Sequence, residues 1–320
     1  MSALRQRGAA ILTAMLTVTL VATFAAAATW QQWRSIEVEA AERGRMQATW
    51  VLTGALDWAR LILREDARSG GADHLAEPWA VPLQEARLST FLAADTSGET
   101  SDADNVFLSG VITDGQSLLN LGNLVEAGRI SEPGLRSFRR LFDLLGLPAV
   151  ELERLAENLR AASDISTDNR TAGQAPLQPQ TVDQIVWLGV SPATAQALAP
   201  YVTLLPARTP VNLNTATPEV IYAALNGINL ADAQELVARR AVSPFRSLTE
   251  ASRILPQHGP AFTEGTVGVA SRFYEVRGRL RMPDGIVEER SLVQRDGLEV
   301  RTLRRERGTV EAAAIARATR

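Results

Sequence analysis

The chain has 320 residues, a formal net charge of −3, 46% hydrophobic content and 22% charged content. It is long enough for two or three domains with cores of their own. The near-balanced charge excludes a field strong enough to draw the whole molecule onto nucleic acid or anionic lipid. With no cysteine, and only His74 and His258, disulfides, thiolate metal sites and cysteine nucleophiles are excluded. A histidine-rich metal site or a Ser-His-Asp triad has little to be built from.

The opening stretch MSALRQRG carries Arg5 and Arg7 and ends at Gly8; from Ala9 to Thr29 no residue is charged. At about 1.5 Å per residue that run spans about 30 Å as a helix, the thickness of a bilayer core. The arginines before it place the N-terminus in the cytoplasm and the bulk of the chain outside. A cleaved secretory signal is the competing reading, with a small-residue cleavage site among residues 25–28. Against it, the segment WQQWRSIEVEAAERGRMQATWVLTGALDWARLILREDAR continues without proline. Its apolar residues Trp33, Ile36, Ala40, Met46, Trp50, Leu56 and Leu61 are expected to form one stripe, opposite Arg34, Glu37, Glu42, Arg45 and Asp57. One helix over residues 9–68 is therefore expected, half suited to lipid and half to a protein surface.

Residues 70–105 are rich in Gly, Pro, Ser and Asp and read as loops. They hold Asp95, Glu99, Asp102 and Asp104, oxygen ligands of the kind a hard cation such as calcium takes, although the spacing is not that of an EF-hand. A solvated acidic loop is the competing reading. Residues 107–112 alternate as a strand, Asp114-Gly115 turns the chain, and SLLNLGNLV is expected to begin a helical region. Helices are expected from Glu132 to about Ala162, broken at Pro148, with Leu135, Phe138, Leu141, Leu144 and Leu145 in the core. Residues 163–180 read as an exposed connection, followed by short helices bounded by Pro192, Pro200 and Pro206.

The stretch from Val211 to Leu255 is the sharpest local motif. Thr217-Pro218 starts a helix and Asn226-Gly227 marks a hairpin, so the unit is similar to the helix-hairpin-helix modules of DNA-binding proteins. Such modules grip phosphate beside two hairpin glycines, whereas the second position here is Asn229. Four acids (Glu219, Asp232, Glu235, Glu250) balance four arginines (Arg239, Arg240, Arg246, Arg253), without the basic surplus that phosphate binding needs. A structural or protein-binding module is expected. Beyond it FYEVRGRLRM, IVEERSLVQR and LEVRTLRRER alternate as strands joined by Pro283-Asp284-Gly285 and Asp296-Gly297 turns. Tyr274, Val276 and Leu280 are placed to cover the long helix.

A basic leader ending in glycine, a lipid-length run and an unbroken amphipathic extension resemble the type IV pilin-like pattern. The wider chain, through ALDWARLILREDAR, EPWAVPL, ITDGQSLLNLGNLV and VNLNTATPEVIYAAL, resembles the minor pseudopilin K family of type II secretion. That resemblance implies cutting by a prepilin peptidase at the Gly8–Ala9 bond and an anchor retained in the mature protein. It also implies an assembly glutamate at the fifth mature position, which here is Thr13. An unpaired acid at that depth costs about 3 kcal/mol, so its loss suits a subunit that never inserts beneath an older one, at the leading end of a filament.

The expected fold is α+β: a pilin-like long helix and antiparallel sheet with a large inserted all-α domain, SAM-like or helix-hairpin-helix-like. The expected layout is a leader at 1–8, the helix halves at 9–29 and 30–68, and loops with first strands at 69–112. The helical insertion follows at 113–262, in units of about 113–205 and 208–260, then C-terminal strands at 263–307 and a tail at 308–320. The expected function is non-enzymatic, without a catalytic residue or a required cofactor; calcium is the cation the family allows. Expected partners are other minor pseudopilins, the major pseudopilin, the prepilin peptidase, inner-membrane lipid, and secreted cargo or the outer-membrane channel, but not nucleic acid. The alternative is a membrane-anchored periplasmic DNA-binding protein.

Overall fold

The structure is a computed structural model that describes residues 3–92, 105–164, 175–283 and 285–310. Its first element, α1 (Ala3–Ser69), is a single helix of 67 residues without proline. It ends where Gly70 takes φ +64 and donates its N–H to the Asp66 carbonyl at 3.2 Å, a left-handed stop that glycine makes without steric cost. The chain divides into two compact units, residues 1–54 and 55–320.

The first unit is the first three-quarters of α1. Along the apolar run from Ile11 to Phe24 the large side chains are exposed. Further on, Ala48 and Leu52 are buried, while Met46 and Trp50 are exposed at 58% and 76%.

In the second unit, α1 continues to Ser69 and the chain then turns at Trp79. Next come β1 (Leu83–Arg87), the short α2 (Leu88–Leu92) and β2 (Phe107–Asp114). Short strands β3 (Leu119–Asn120), β4 (Val125–Glu126) and β5 (Arg129–Ile130) precede α3 (Glu132–Leu145) and α4 (Ala149–Ala162). Then follow α5 (Pro192–Leu198), β6 (Val202–Thr203), β7 (Val211–Asn212), α6 (Pro218–Ala224), α7 (Leu230–Val242) and α8 (Leu248–Ser252). After β8 (Val267–Gly268), the chain ends its described part with β9 (Phe273–Met282), β10 (Gly285–Asp296) and β11 (Glu299–Val310).

Five strands form one antiparallel sheet in the order β1-β2-β9-β10-β11. Asp114, where β2 ends, lies opposite Tyr274 at the start of β9. The helical region therefore leaves and re-enters the sheet at one point, and neighbouring strands are joined across more than 150 residues. Leu56, Ala59 and Leu63 of α1 pack on Trp79, Ile112, Tyr274, Val276, Val293 and Val300 from the sheet side. Their spacing of three and four residues is that of one helix face.

The buried stripe corrects the expected one. Of the seven residues assigned to it, Leu56 is buried, whereas Trp33, Ile36, Met46, Trp50 and Leu61 are exposed. Both sides of this helix are apolar, so periodicity alone did not tell which one meets the fold.

The stretch SLLNLGNLV is a second correction: it forms 3-10 turns and two-residue strands, and the first α-helix of the insertion starts at Glu132. The Asp114 and Asn120 side chains accept from backbone N–H groups two residues on, at 2.7 and 2.9 Å. Such local bonds compete with helix formation. Within the insertion, Phe138, Leu141 and Phe142 of α3 share one core with Leu155, Leu188, Leu198, Ile221, Leu225 and Leu236. Gly134 lets the first turn of α3 lie against the Asn123 carbonyl, where a Cβ would come within 2.1 Å of the oxygen.

Candidate assembly surface

Hydroxyls inside the apolar run are satisfied by their own helix. Thr13 Oγ1 donates to the Ala9 and Ala10 carbonyls at 3.0 and 2.9 Å, and Thr17, Thr19, Thr23 and Thr29 each return to a carbonyl three or four residues back. In hydrocarbon a polar group without a partner costs several kcal/mol, so this bonding lets five threonines lie in lipid. Trp30 and Trp33 follow at once, with ring centroids 5.6 Å apart. Amphipathic rings favour the membrane–water boundary. The helix is long and apolar enough to cross a bilayer once, as a single membrane anchor.

Past that boundary the helix carries a second apolar face, Met46 and Trp50 in the first unit. In the second unit Trp58 and Leu61 are exposed next to the buried Leu56, Ala59 and Leu63. An apolar stripe on each side of an amphipathic helix suits it to pack against its own fold with one and against another helix with the other.

Where α1 ends, a buried polar network joins it to the sheet and to the insertion. Asp66 accepts from Arg295 Nη1 at 2.6 Å, and Asp73 accepts from Arg295 Nη2, from the Tyr274 hydroxyl at 2.7 Å and from the Ser271 N–H at 2.6 Å. Asp114 Oδ2 accepts from the Thr215 and Ser271 hydroxyls at 2.5 and 2.7 Å and from Asn212 Nδ2 at 3.0 Å. Glu77 accepts from Trp79 Nε1 at 2.7 Å and from the His74 N–H at 2.8 Å.

Burial, then the nearby Glu77, pushes the Asp66 carboxyl up from 3.8 to about 6, against the pull of Arg295. Burial also raises Asp114 against its donors, and burial raises the Tyr274 hydroxyl as well. Oxygens of Asp66, Asp73 and Glu77 lie within 4.8 Å of one another, and the guanidinium of Arg295 pairs with Asp66 and Asp73.

The expected acidic quartet, Asp95, Glu99, Asp102 and Asp104, lies outside the described residues. Gly8 and Ala9 fall within α1, in its first two turns, and Thr13 lies one turn further on. Sequence reasoning read Asp114 as a turn residue and Tyr274 as cover for the long helix, and did not join them to Asp66, Asp73 or Arg295. A weak signal was present: Asp114 closely follows the alternating strand residues 107–112, and Asn212 lies between Val211 and Leu213, where a small polar residue is usually a buried bonding partner.

Residues 117–207 and 211–270 match the sequence profiles of two domains, each described as type II secretion system protein K. A type II secretion system protein K of Pseudomonas aeruginosa is 28% identical, with 95% of this chain and 93% of that protein covered. Its counterpart in Pectobacterium carotovorum is 26% identical over 95% and 97%. A crystal structure of the GspK-GspI-GspJ complex from enterotoxigenic Escherichia coli holds a chain with the same fold. The match has a TM-score of 0.64 at 19% identity and covers 84% of this chain and 98% of that one.

The chain is similar to type II secretion system protein K through both profiles and along nearly its whole length. Those relatives are named as components of a protein-secretion system and not as enzymes. Both profiles cover the helical insertion, and the anchoring helix and the sheet complete the α+β pilin-like fold.

Proposed function

We propose that this chain is a minor pseudopilin that stands at the leading end of a secretion filament and helps to start it. The chain is held with its N-terminus in the cytoplasm and its larger unit in the periplasm, in keeping with Arg5 and Arg7 before the span. A prepilin peptidase cuts after Gly8, and the new N-terminus at Ala9 begins the retained anchor. The single observation that carries the reading is Thr13. Its hydroxyl is spent on the Ala9 and Ala10 carbonyls, so the helix offers no acid to an N-terminal amine in lipid and has nothing with which to insert beneath an older subunit.

Other minor pseudopilins are the partners. The GspK chain of similar fold was solved in a complex with GspI and GspJ, and the face that carries Met46 and Trp50 supplies apolar area for contact with another helix. The filament so begun pushes folded cargo toward the outer-membrane channel. Because the chain has no cysteine, single-cysteine variants are clean probes. Met46→Cys or Trp50→Cys is expected to cross-link in membranes to single-cysteine variants of the other minor pseudopilins. Cross-links to the major subunit along sheared filaments, and none to the minor ones, would overturn the reading.

A further inference from the structure

Between α3, the α6–α7 hairpin and residues 256–266 lies a cleft of about 550 Å³. Arg136 and Arg140 enter it from α3 and Arg208 from beside β7, and among the described residues that line it none is acidic. Arg140 is pinned. Its Nε and Nη2 donate to the Tyr222 carbonyl at 3.0 and 2.8 Å, Nη2 donates to the Ile228 carbonyl at 2.7 Å, and the guanidinium lies 4.1 Å from the centre of the Tyr222 ring. Nη1 of Arg140 has no hydrogen bond among the described residues. Arg208 is balanced by Glu126. Arg136 has no ion-pair partner among the described residues and stands one helical turn from Arg140, where like charges repel.

We propose that this cleft receives an acidic peptide segment, whose carboxylate is taken by Arg136 and by Nη1 of Arg140. The inference goes beyond the filament-tip reading. A fixed guanidinium fork with spare donors has little order left to lose when a carboxylate arrives. The anion also relieves the repulsion that the sequence keeps between Arg136 and Arg140. Pro133, Ala223 and Ala261 line the same cleft and supply apolar contact for the segment's aliphatic stems. A nucleic-acid backbone is disfavoured because it needs a continuous basic surplus. Here the 211–255 stretch has four acids against four arginines, and the basic excess is confined to one concavity.

The test uses the full-length chain in detergent, with fluorescein-labelled hexaglutamate, labelled hexaglutamine and a labelled DNA duplex, at low and high salt. Hexaglutamate is expected to bind and hexaglutamine not. Arg136→Glu, at an exposed helix position, should weaken hexaglutamate at least tenfold, and Arg136→Gln less. Arg301→Glu, an exposed arginine on β11, should leave binding unchanged, with melting temperatures reporting that each variant is folded. Equal binding by folded Arg136→Glu, equal loss in Arg301→Glu, or retention of the duplex without hexaglutamate would overturn the proposal.

Discussion

Asp114 is buried at the end of β2 and holds Asn212, Thr215 and Ser271 through one oxygen and the Gln116 N–H through the other. Removing the carboxylate leaves several buried donors without acceptors, each at about 1–3 kcal/mol and not additive. Asp114→Ala should destabilise the second unit by about 3–5 kcal/mol, read by thermal melting, whereas Asp114→Asn keeps part of the network and should lose less.

Asp66 carries a pH dependence whose sign follows from its raised value. The folded chain keeps a proton up to about pH 6 that the unfolded chain has released from about 3.8. Stability from this group is therefore complete below about pH 4 and is lost as pH rises through 6, by an amount on the order of 2 kcal/mol. Melting temperatures at pH 4 and pH 7 should differ less in Asp66→Asn than in the wild type. An equal difference would assign the pH dependence to other groups.

At the scale of elements, α1 and α3 show how a helix is placed by what touches it. Gly134 is required because α3 begins against the Asn123 carbonyl. Gly134→Ala should destabilise the insertion by about 2–4 kcal/mol, since the blocking atom is backbone and cannot rotate away; a melting temperature within a degree of wild type would contradict that contact. On α1, Trp50 is 76% exposed, so Trp50→Ala should leave the melting temperature within about a degree while reducing recovery of the other minor subunits in a pull-down from membranes. Unchanged recovery would remove Trp50 from the assembly face.

For the whole molecule the pseudopilin problem is where a large head goes. The insertion leaves the sheet at Asp114 and returns at Phe273 beside it, so a bulky helical unit is carried without breaking the five-strand order. Asn120 and Asn123 tie the 117–124 turns to residues 205–209, with Asn120 Nδ2 on the Ala207 carbonyl at 2.7 Å and Asn123 Nδ2 on the Thr209 carbonyl at 2.7 Å. In the proposed filament such a head would take an end position in preference to a place in the repeating shaft. Thr13→Glu is expected to insert normally and to raise the ratio of this chain to the major subunit in sheared filaments. Gly8→Val should leave the unprocessed mass in membranes, whereas a new N-terminus within residues 25–29 would identify a secretory signal instead.

Local order settled a good deal by itself. Charge-free length made the anchor legible, because lipid reads hydropathy residue by residue. The strands 273–282, 285–296 and 299–310 were legible from alternation and from the glycines of their turns, and Pro218 and Gly227 marked α6 and the hairpin after it. Tertiary structure alone decided which apolar side of α1 is buried, since two stripes compete and only packing against Trp79 and Tyr274 chooses between them. It also turned SLLNLGNLV away from helix, because Asn120 bonds to partners 85 and more residues distant that no local pattern reveals. The junction of Asp66, Asp73, Asp114 and Arg295 belongs to the same class: its members lie up to 229 residues apart, and their chemistry exists only once the fold has brought them together.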